Sequence, residues 1–297
     1  MALGLAERDM TDVLARQDWL EPVDQKLNQA VDGAFTAAGP TGQWVRNFLH
    51  GTWLGHPLHP ALTDVPLGAW TTALVFDALD LAAGRADLTP GADAAVGVGL
   101  LGAAGAALAG LTDWQKTYGK GRRVGLVHGL LNVGVTGLYG ASLACRKRGA
   151  RGAGRALAAA GYLVAVYSAY LGGVLVSQQR IGVDHTHDST ATPPADFTRV
   201  LADADLTDGA LKKVEAAGVP VLLARQHGQL YALADTCAHL GCSLADGTLG
   251  DDSVTCPCHG SRFALEDGRV LDGPSTFPQL VYESRVRDGQ IEVRLTS

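Results

Sequence analysis

The chain has 297 residues, 47% hydrophobic and only 18% charged, with a formal net charge of −6. A net-negative chain with no basic, aromatic-lined stripe has no footprint for nucleic acid, which excludes that class of partner. The averages hide a division: residues 61–177 are largely apolar, whereas 184–297 read as a water-soluble domain.

The opening stretch, MALGLAERDMTDVLARQDWLEP, lacks a charged start followed by a long apolar core. It is therefore expected to be neither a secretory signal peptide nor a twin-arginine leader, and membrane insertion falls to internal segments. Residues 1–55 read as an amphipathic helical segment. Trp19, Leu27, Val31, Phe35, Trp44, Phe48 and Trp53 supply its apolar faces, suited to lying along a membrane surface or capping a bundle.

Four apolar runs follow, at 61–83, 94–111, 124–145 and 156–177. About 20 apolar residues cross the hydrocarbon core, so each is a candidate span within a transmembrane domain over 56–180. The last three contain no Asp, Glu, Lys or Arg; the first carries Asp64, Asp77 and Asp80, each costly if it faces lipid. Gly102 with Ala106, and Gly105 with Ala109, are small-residue pairs suited to close helix packing. Tyr162, Tyr167 and Tyr170 are expected as anchors. An even number of crossings leaves both chain ends on one side. Six cations flank the spans on each face, so positive charge alone does not orient the chain. The block RKRGARGAGR lies opposite the termini and points to an extracytoplasmic head.

The stretch HGTWLGHPLHPALTDVPLGAW at 50–70 places His56 and His59 just before the first span. His128 falls about one turn inside the third, with Asn132 four residues on and so on the same face. Asp64 is expected near the same depth. Three readings stay open: interfacial histidines that cap helices, a quinone or quinol pocket, and a haem b or metal held by His59 and His128. No C-x-x-C-H argues for covalent haem. Residues 50–177 resemble an uncharacterised family of four-helix bacterial membrane proteins with an H-P-L-H-P signature. That resemblance implies topology and nothing about activity.

Residues 181–196, including DHTHDSTATPPAD, read as a linker, a flexible or semi-rigid tether in which His185 and His187 are solvated. Cys145 reads as a small core residue. Beyond the linker the pattern changes to strands: VPVLLARQ, QLYALADT, SRFALED and RVRDGQIEVRL. His227-Gly228, Asp267-Gly268 and Asp288-Gly289 are hairpin-type turns.

Within this segment Cys237 and His239 form C-x-H, and Cys256 and His259 form C-x-x-H. Two thiolates and two imidazoles hold either one tetrahedral zinc or one two-iron cluster, and the spacing alone leaves both open. The surrounding residues, CAHLGC at 237–242, CPCHGS at 256–261 and Gly273-Pro274, resemble a Rieske [2Fe–2S] domain over 197–297. The resemblance implies that Cys237 and Cys256 bind one iron and His239 and His259 the other. It implies a Cys242–Cys258 disulfide, as in Rieske proteins of the cytochrome bc type and unlike most oxygenase ferredoxins. It makes Gly273-Pro274 the loop that covers the cluster. It also makes Ser261 a hydroxyl donor to a cluster sulfide, and puts Phe263 where high-potential members carry a donating tyrosine.

The expected architecture is an α-helical four-span bundle followed by an all-β Rieske domain. The expected function is membrane-anchored one-electron transfer between a membrane donor, quinol being the candidate, and a redox partner protein. The alternatives are a redox or iron sensor signalling through the bundle, and a ferredoxin-like donor to a separate oxygenase. Residues 260–297 contain no histidine, so that stretch offers no two-histidine, one-carboxylate iron site of an oxygenase.

Overall fold

The structure is a computed structural model, and it describes residues 11–13 and 16–296. The reading of residues 1–10 as part of an amphipathic segment lies outside the described residues. The chain divides into two compact units. One holds Leu58–Arg180 and the chain before Gln43. The other holds Gln43–Pro57 and the chain from Ile181 onward.

The helical unit is built on α1 (Leu20–Ala37), α3 (Leu58–Ala83), α4 (Thr89–Gln115), α5 (Gly119–Lys147) and α6 (Arg151–Ser177); α2 (Gly39–His50) runs from this unit into the other. The last four long helices of the unit, α3 to α6, are long and apolar enough to cross a membrane. Each extends beyond its apolar run, because polar residues at its ends continue the backbone hydrogen bonding. Gly84 (φ +63°) and Gly149 (φ +81°) take the left-handed conformation that ends α3 and α5.

Outward-facing Leu81, Leu101, Val133 and Leu163 are at least 70% exposed, the surface a lipid-facing bundle presents. Inside, Trp70 stacks on Tyr139 with centroids 4.0 Å apart. Gly99 makes that possible: a Cβ there would lie 2.1 Å from Trp70 Nε1. Gly102 lies likewise beneath Val65 and Pro66, and Ala106 and Ala109 are buried. α1 packs at one end through Leu20, Trp114 and Leu126, with Arg122 Nε donating to Asp24 Oδ1 at 2.7 Å.

Two carboxylates of the first span are neutralised by pairing. Asp77 is buried against Arg146, which also reaches Asp93 at 3.2 Å; Asp80 pairs with Arg155. Desolvating these charges singly would be far costlier than desolvating them together. Asp64 is exposed.

The second unit is antiparallel β. Its strands are β1 (Thr198–Ala202), β2 (Leu211–Ala216), β3 (Val219–Gln226), β4 (Gln229–Ala234), β5 (Thr248–Gly250), β6 (Ser253–Thr255), β7 (Arg262–Ala264), β8 (Val270–Asp272), β9 (Val281–Arg287) and β10 (Gln290–Leu295). One sheet has the order β1-β10-β9-β4-β3-β2 and the other β5-β6-β7-β8. β3 (Val219–Gln226) is buried on both faces. Val221 and Leu223 enter one core, while Leu222 and Ala224 enter a second. That alternation follows from the two-residue repeat of a strand. The second core contains Cys237, Cys256, Phe263 and Leu265 and supports the ligand loops.

Two segments expected to lie apart from this domain pack on it. Residues 43–57 carry an exposed aromatic ladder, Trp44 on Phe48 at 5.8 Å and Phe48 on Trp53 at 5.6 Å. The segment expected to be a tether is also hydrogen-bonded to this domain. His185 N donates to Ala238 O at 3.2 Å, Leu295 N donates to Pro194 O at 2.8 Å, and His185 and Thr186 are buried. A local turn prepares this, with Thr186 N and Oγ1 both donating to Asp184 Oδ1.

Candidate iron–sulfur site

Two loops carry the candidate ligands, one leading from β4 of the larger sheet to β5 and one joining β6 to β7 in the smaller. In the first, Cys237 N donates to Cys242 O at 2.8 Å and Gly241 N to Cys237 O at 2.9 Å. In the second, Cys256 N donates to Ser261 O at 2.8 Å and Gly260 N to Cys256 O at 3.1 Å. Gly241 (φ +80°) and Gly260 (φ +81°) close these turns in a conformation that a side chain would strain.

The loops bring all four predicted ligands together. Cys237 and Cys256 are buried and hydrogen-bonded to each other, and the His239 and His259 rings lie 4.9 Å apart, nearly perpendicular. Each sulfur also faces backbone N–H groups, Cys237 those of His239 and Leu240, and Cys256 those of Cys258 and His259. The shared hydrogen bond pulls Cys256 down to about 7, and the same bond, with burial, pushes Cys237 up. Such amides stabilise anionic sulfur. A donor set of two amide-lined sulfurs and two imidazoles therefore fits a [2Fe–2S] cluster with two cysteine and two histidine ligands.

Cys242 and Cys258 are joined by a disulfide linking the two loops. Their sulfurs lie within 4.8 Å of each other and of Cys256 Sγ, so the bond borders the site without supplying a ligand. Ser261 is fully buried; its Oγ accepts from Ser275 N at 3.0 Å, which leaves the hydroxyl hydrogen for another acceptor. Phe263 is fully buried in the core beneath. Gly273 and Pro274 are buried and joined by a cis peptide bond.

Sequence reasoning missed Gln43, Asn47 and His50. Asn47 Nδ2 donates to Asp272 Oδ1 at 2.8 Å, and its Oδ1 accepts from Gly273 N at 3.0 Å. Gln43 Nε2 reaches the same Asp272 oxygen at 3.3 Å. His50 is fully buried, and a Cβ on Gly273 would lie 2.9 Å from its ring. No local signal announces these contacts, which join residues more than 220 positions apart.

In the helical unit the candidate residues separate. His59 and His128 meet, with ring centroids 6.1 Å apart, and Asn132 Nδ2 lies 3.1 Å from His128 Nε2. Asp64 is exposed on a different face of α3, and His56 belongs to the β unit, its Nδ1 2.9 Å from Pro57 O. Asp64 is not brought to the pair.

Known proteins agree with the two-part organisation. The Rieske [2Fe-2S] domain model matches residues 196–283, and the model described as Predicted membrane protein (DUF2231) matches 55–185. Ferredoxin CarAc of Metapseudomonas resinovorans is 36% identical over 98 residues, covering 33% of this chain and 92% of the ferredoxin. The 3-phenylpropionate/cinnamic acid dioxygenase ferredoxin subunit of Escherichia coli (strain K12) is 34% identical, covering 31% of this chain and 87% of that subunit. The cytochrome b6-f complex iron-sulfur subunit of Chlorobaculum tepidum is 29% identical, covering 35% of this chain and 59% of the subunit. The chain belongs to the Rieske [2Fe–2S] family, its Rieske electron-carrier domain being preceded by a domain of a predicted membrane protein family with four apolar helices.

Proposed function

We propose that the protein is an integral membrane electron carrier that takes single electrons from a membrane donor of the quinol class and delivers them to a redox partner protein. The observation that carries this reading is the His239–His259 pair, 4.9 Å apart and only half-buried, beside a buried thiol pair. A bound cluster supplies the one-electron chemistry, at a potential raised by its two imidazole ligands. The chain's own residues hold it and control access. The amides of 239–240 and 258–259 steady the sulfurs, the disulfide pins the loops, and Gly273-Pro274 shields one side. The partly exposed histidine edges give a donor or partner its point of approach.

The disulfide supports a head on the extracytoplasmic side, because such bonds persist in oxidising compartments. It also favours a bc-like carrier over a ferredoxin-like donor to an oxygenase, the second reading supported by the identity to Ferredoxin CarAc.

The test is anaerobic purification in detergent followed by EPR of oxidised and reduced protein, with quinol and then an oxygenase-type partner tried as reaction mates. A Rieske spectrum in the reduced state and reduction by quinol are expected. Zinc in place of iron would overturn the cluster, and a cluster inert to quinol would overturn the donor.

A further inference from the structure

We infer that His59 and His128 are the axial ligands of a haem-type iron macrocycle held inside the helical unit. This cofactor is additional to the cluster, and the inference does not depend on the quinol reading above.

The argument starts from the ring nitrogens. His59 Nδ1 lies 2.8 Å from Ala106 O on α4, and His128 Nδ1 lies 2.8 Å from Ser168 O on α6. A carbonyl oxygen only accepts, so each Nδ1 carries the hydrogen and each neutral ring presents its Nε2 lone pair. Asn132 Nδ2 beside His128 Nε2, at 3.1 Å, is consistent with that tautomer. Histidines that bind metals are held this way, one nitrogen donating to a carbonyl and the other turned to the ion; at His128 that second nitrogen accepts from Asn132 Nδ2, an amide that ligation would displace. A pair that merely capped helices would not need the same tautomer in both rings.

The spacing agrees. With metal–nitrogen bonds of about 2.0–2.1 Å, two imidazoles on opposite sides of one ion have centroids roughly 6 Å apart. Here they are 6.1 Å apart, with ring planes 86° to one another. α3 packs along α4, and α5 along α6, so the two rings approach from diagonal helices of the bundle. Two glycines make room behind them. A Cβ on Gly110 would lie 2.7 Å from the His59 ring, and one on Gly172 would lie 3.4 Å from that of His128.

The number of donors selects the class of cofactor. A bare zinc ion takes four protein ligands in a closed site. Among the described residues, the group of three or more metal-binding side chains is Cys242, Cys256 and Cys258, in the other unit. Two imidazoles leave four positions of a six-coordinate iron, the number that an iron porphyrin fills with its own ring.

The test uses the full chain, expressed with a haem precursor, purified in detergent and titrated with hemin. The expected result is a Soret band with a low-spin bis-imidazole spectrum at about one haem per chain, assayed as the pyridine haemochrome. His59→Gly and His128→Gly should each lose it, with imidazole in solution restoring it, while the exposed His187→Ala keeps it. Helicity by circular dichroism reports whether the helical unit of each variant still folds, and the Rieske EPR signal reports the other unit. A full cluster signal with no haem and no response to hemin would overturn the inference. So would hemin binding that survives both glycine substitutions.

Discussion

Asn47 holds Gly273 with one end of its amide and Asp272 with the other: its Oδ1 accepts from Gly273 N at 3.0 Å and its Nδ2 donates to Asp272 Oδ1 at 2.8 Å. Arg262 Nε fixes the second oxygen of Asp272 at 2.7 Å. The backbone of the loop beside the site is thereby tied to a residue that precedes every apolar span. Asn47→Ala is expected to cost about 1–3 kcal/mol, two hydrogen bonds and an amide left without its partner. Chemical unfolding followed by the visible absorbance of the cluster measures it. An unchanged midpoint would show that the tie is incidental.

Phe263 is fully buried where a tyrosine would add a donor, and Ser261 keeps a hydroxyl hydrogen available. Phe263→Tyr should raise the cluster potential and Ser261→Ala should lower it. Each shift should be on the order of 40–80 mV, the equivalent of about 1–2 kcal/mol for one electron. Redox titration by EPR decides. A fall, or no change, in Phe263→Tyr would refute the assignment of the missing donor.

Cys242 and Cys258 stand 16 positions apart and cross-link the two ligand loops. A loop of that length contributes about 3 kcal/mol by restricting the unfolded chain. The double Cys→Ser variant should therefore lose cluster faster under mild denaturant, measured as the decay of visible absorbance. Equal decay rates would mean the loops hold without the bond.

Glu292 lies between Arg285 on β9 and Arg199 on β1 across three paired strands. The Arg285 hydrogen bond, with Arg199 adding to it, holds this carboxyl below its usual 4.5. A depressed folded value gives stability that is present above 4.5 and lost as pH falls through the folded value. The denaturation midpoint of the wild type should fall on acidification through that range, and Glu292→Gln should show less of this fall. Parallel curves would reject the pairing as a source of acid sensitivity.

Asp77 meets the buried Arg146 in the helical unit. Removing it leaves Arg146 facing Asp93 at 3.2 Å, among the described residues, as its remaining carboxylate partner. Asp77→Ala should cost about 3–5 kcal/mol, whereas Asp64→Ala, at an exposed position, should cost under about 0.5 kcal/mol. Thermal unfolding in detergent compares them, and equal losses would count against the buried pair.

The parts of the protein whose signals are local were legible in the residues alone. Runs of about 20 apolar residues declare helices able to span a bilayer, whatever they touch. CAHLGC and CPCHGS place candidate ligands, turn glycines and disulfide partners within a few residues of one another. The alternation in VPVLLARQ marks a strand. The long-range choices were made by packing. Asn47 and His50 lie against Gly273, and residues 181–194 pack on the sheet instead of swinging free, because hydrogen bonds between distant segments leave no periodicity to read. Asp64, Asp77 and Asp80 look alike as letters in one apolar run. Only the arrival of Arg146 and Arg155 from other helices separates the paired carboxylates from the exposed one. His59 and His128 were visible as histidines near one face, but their shared tautomer depends on carbonyls of α4 and α6, which packing alone brings within 2.8 Å.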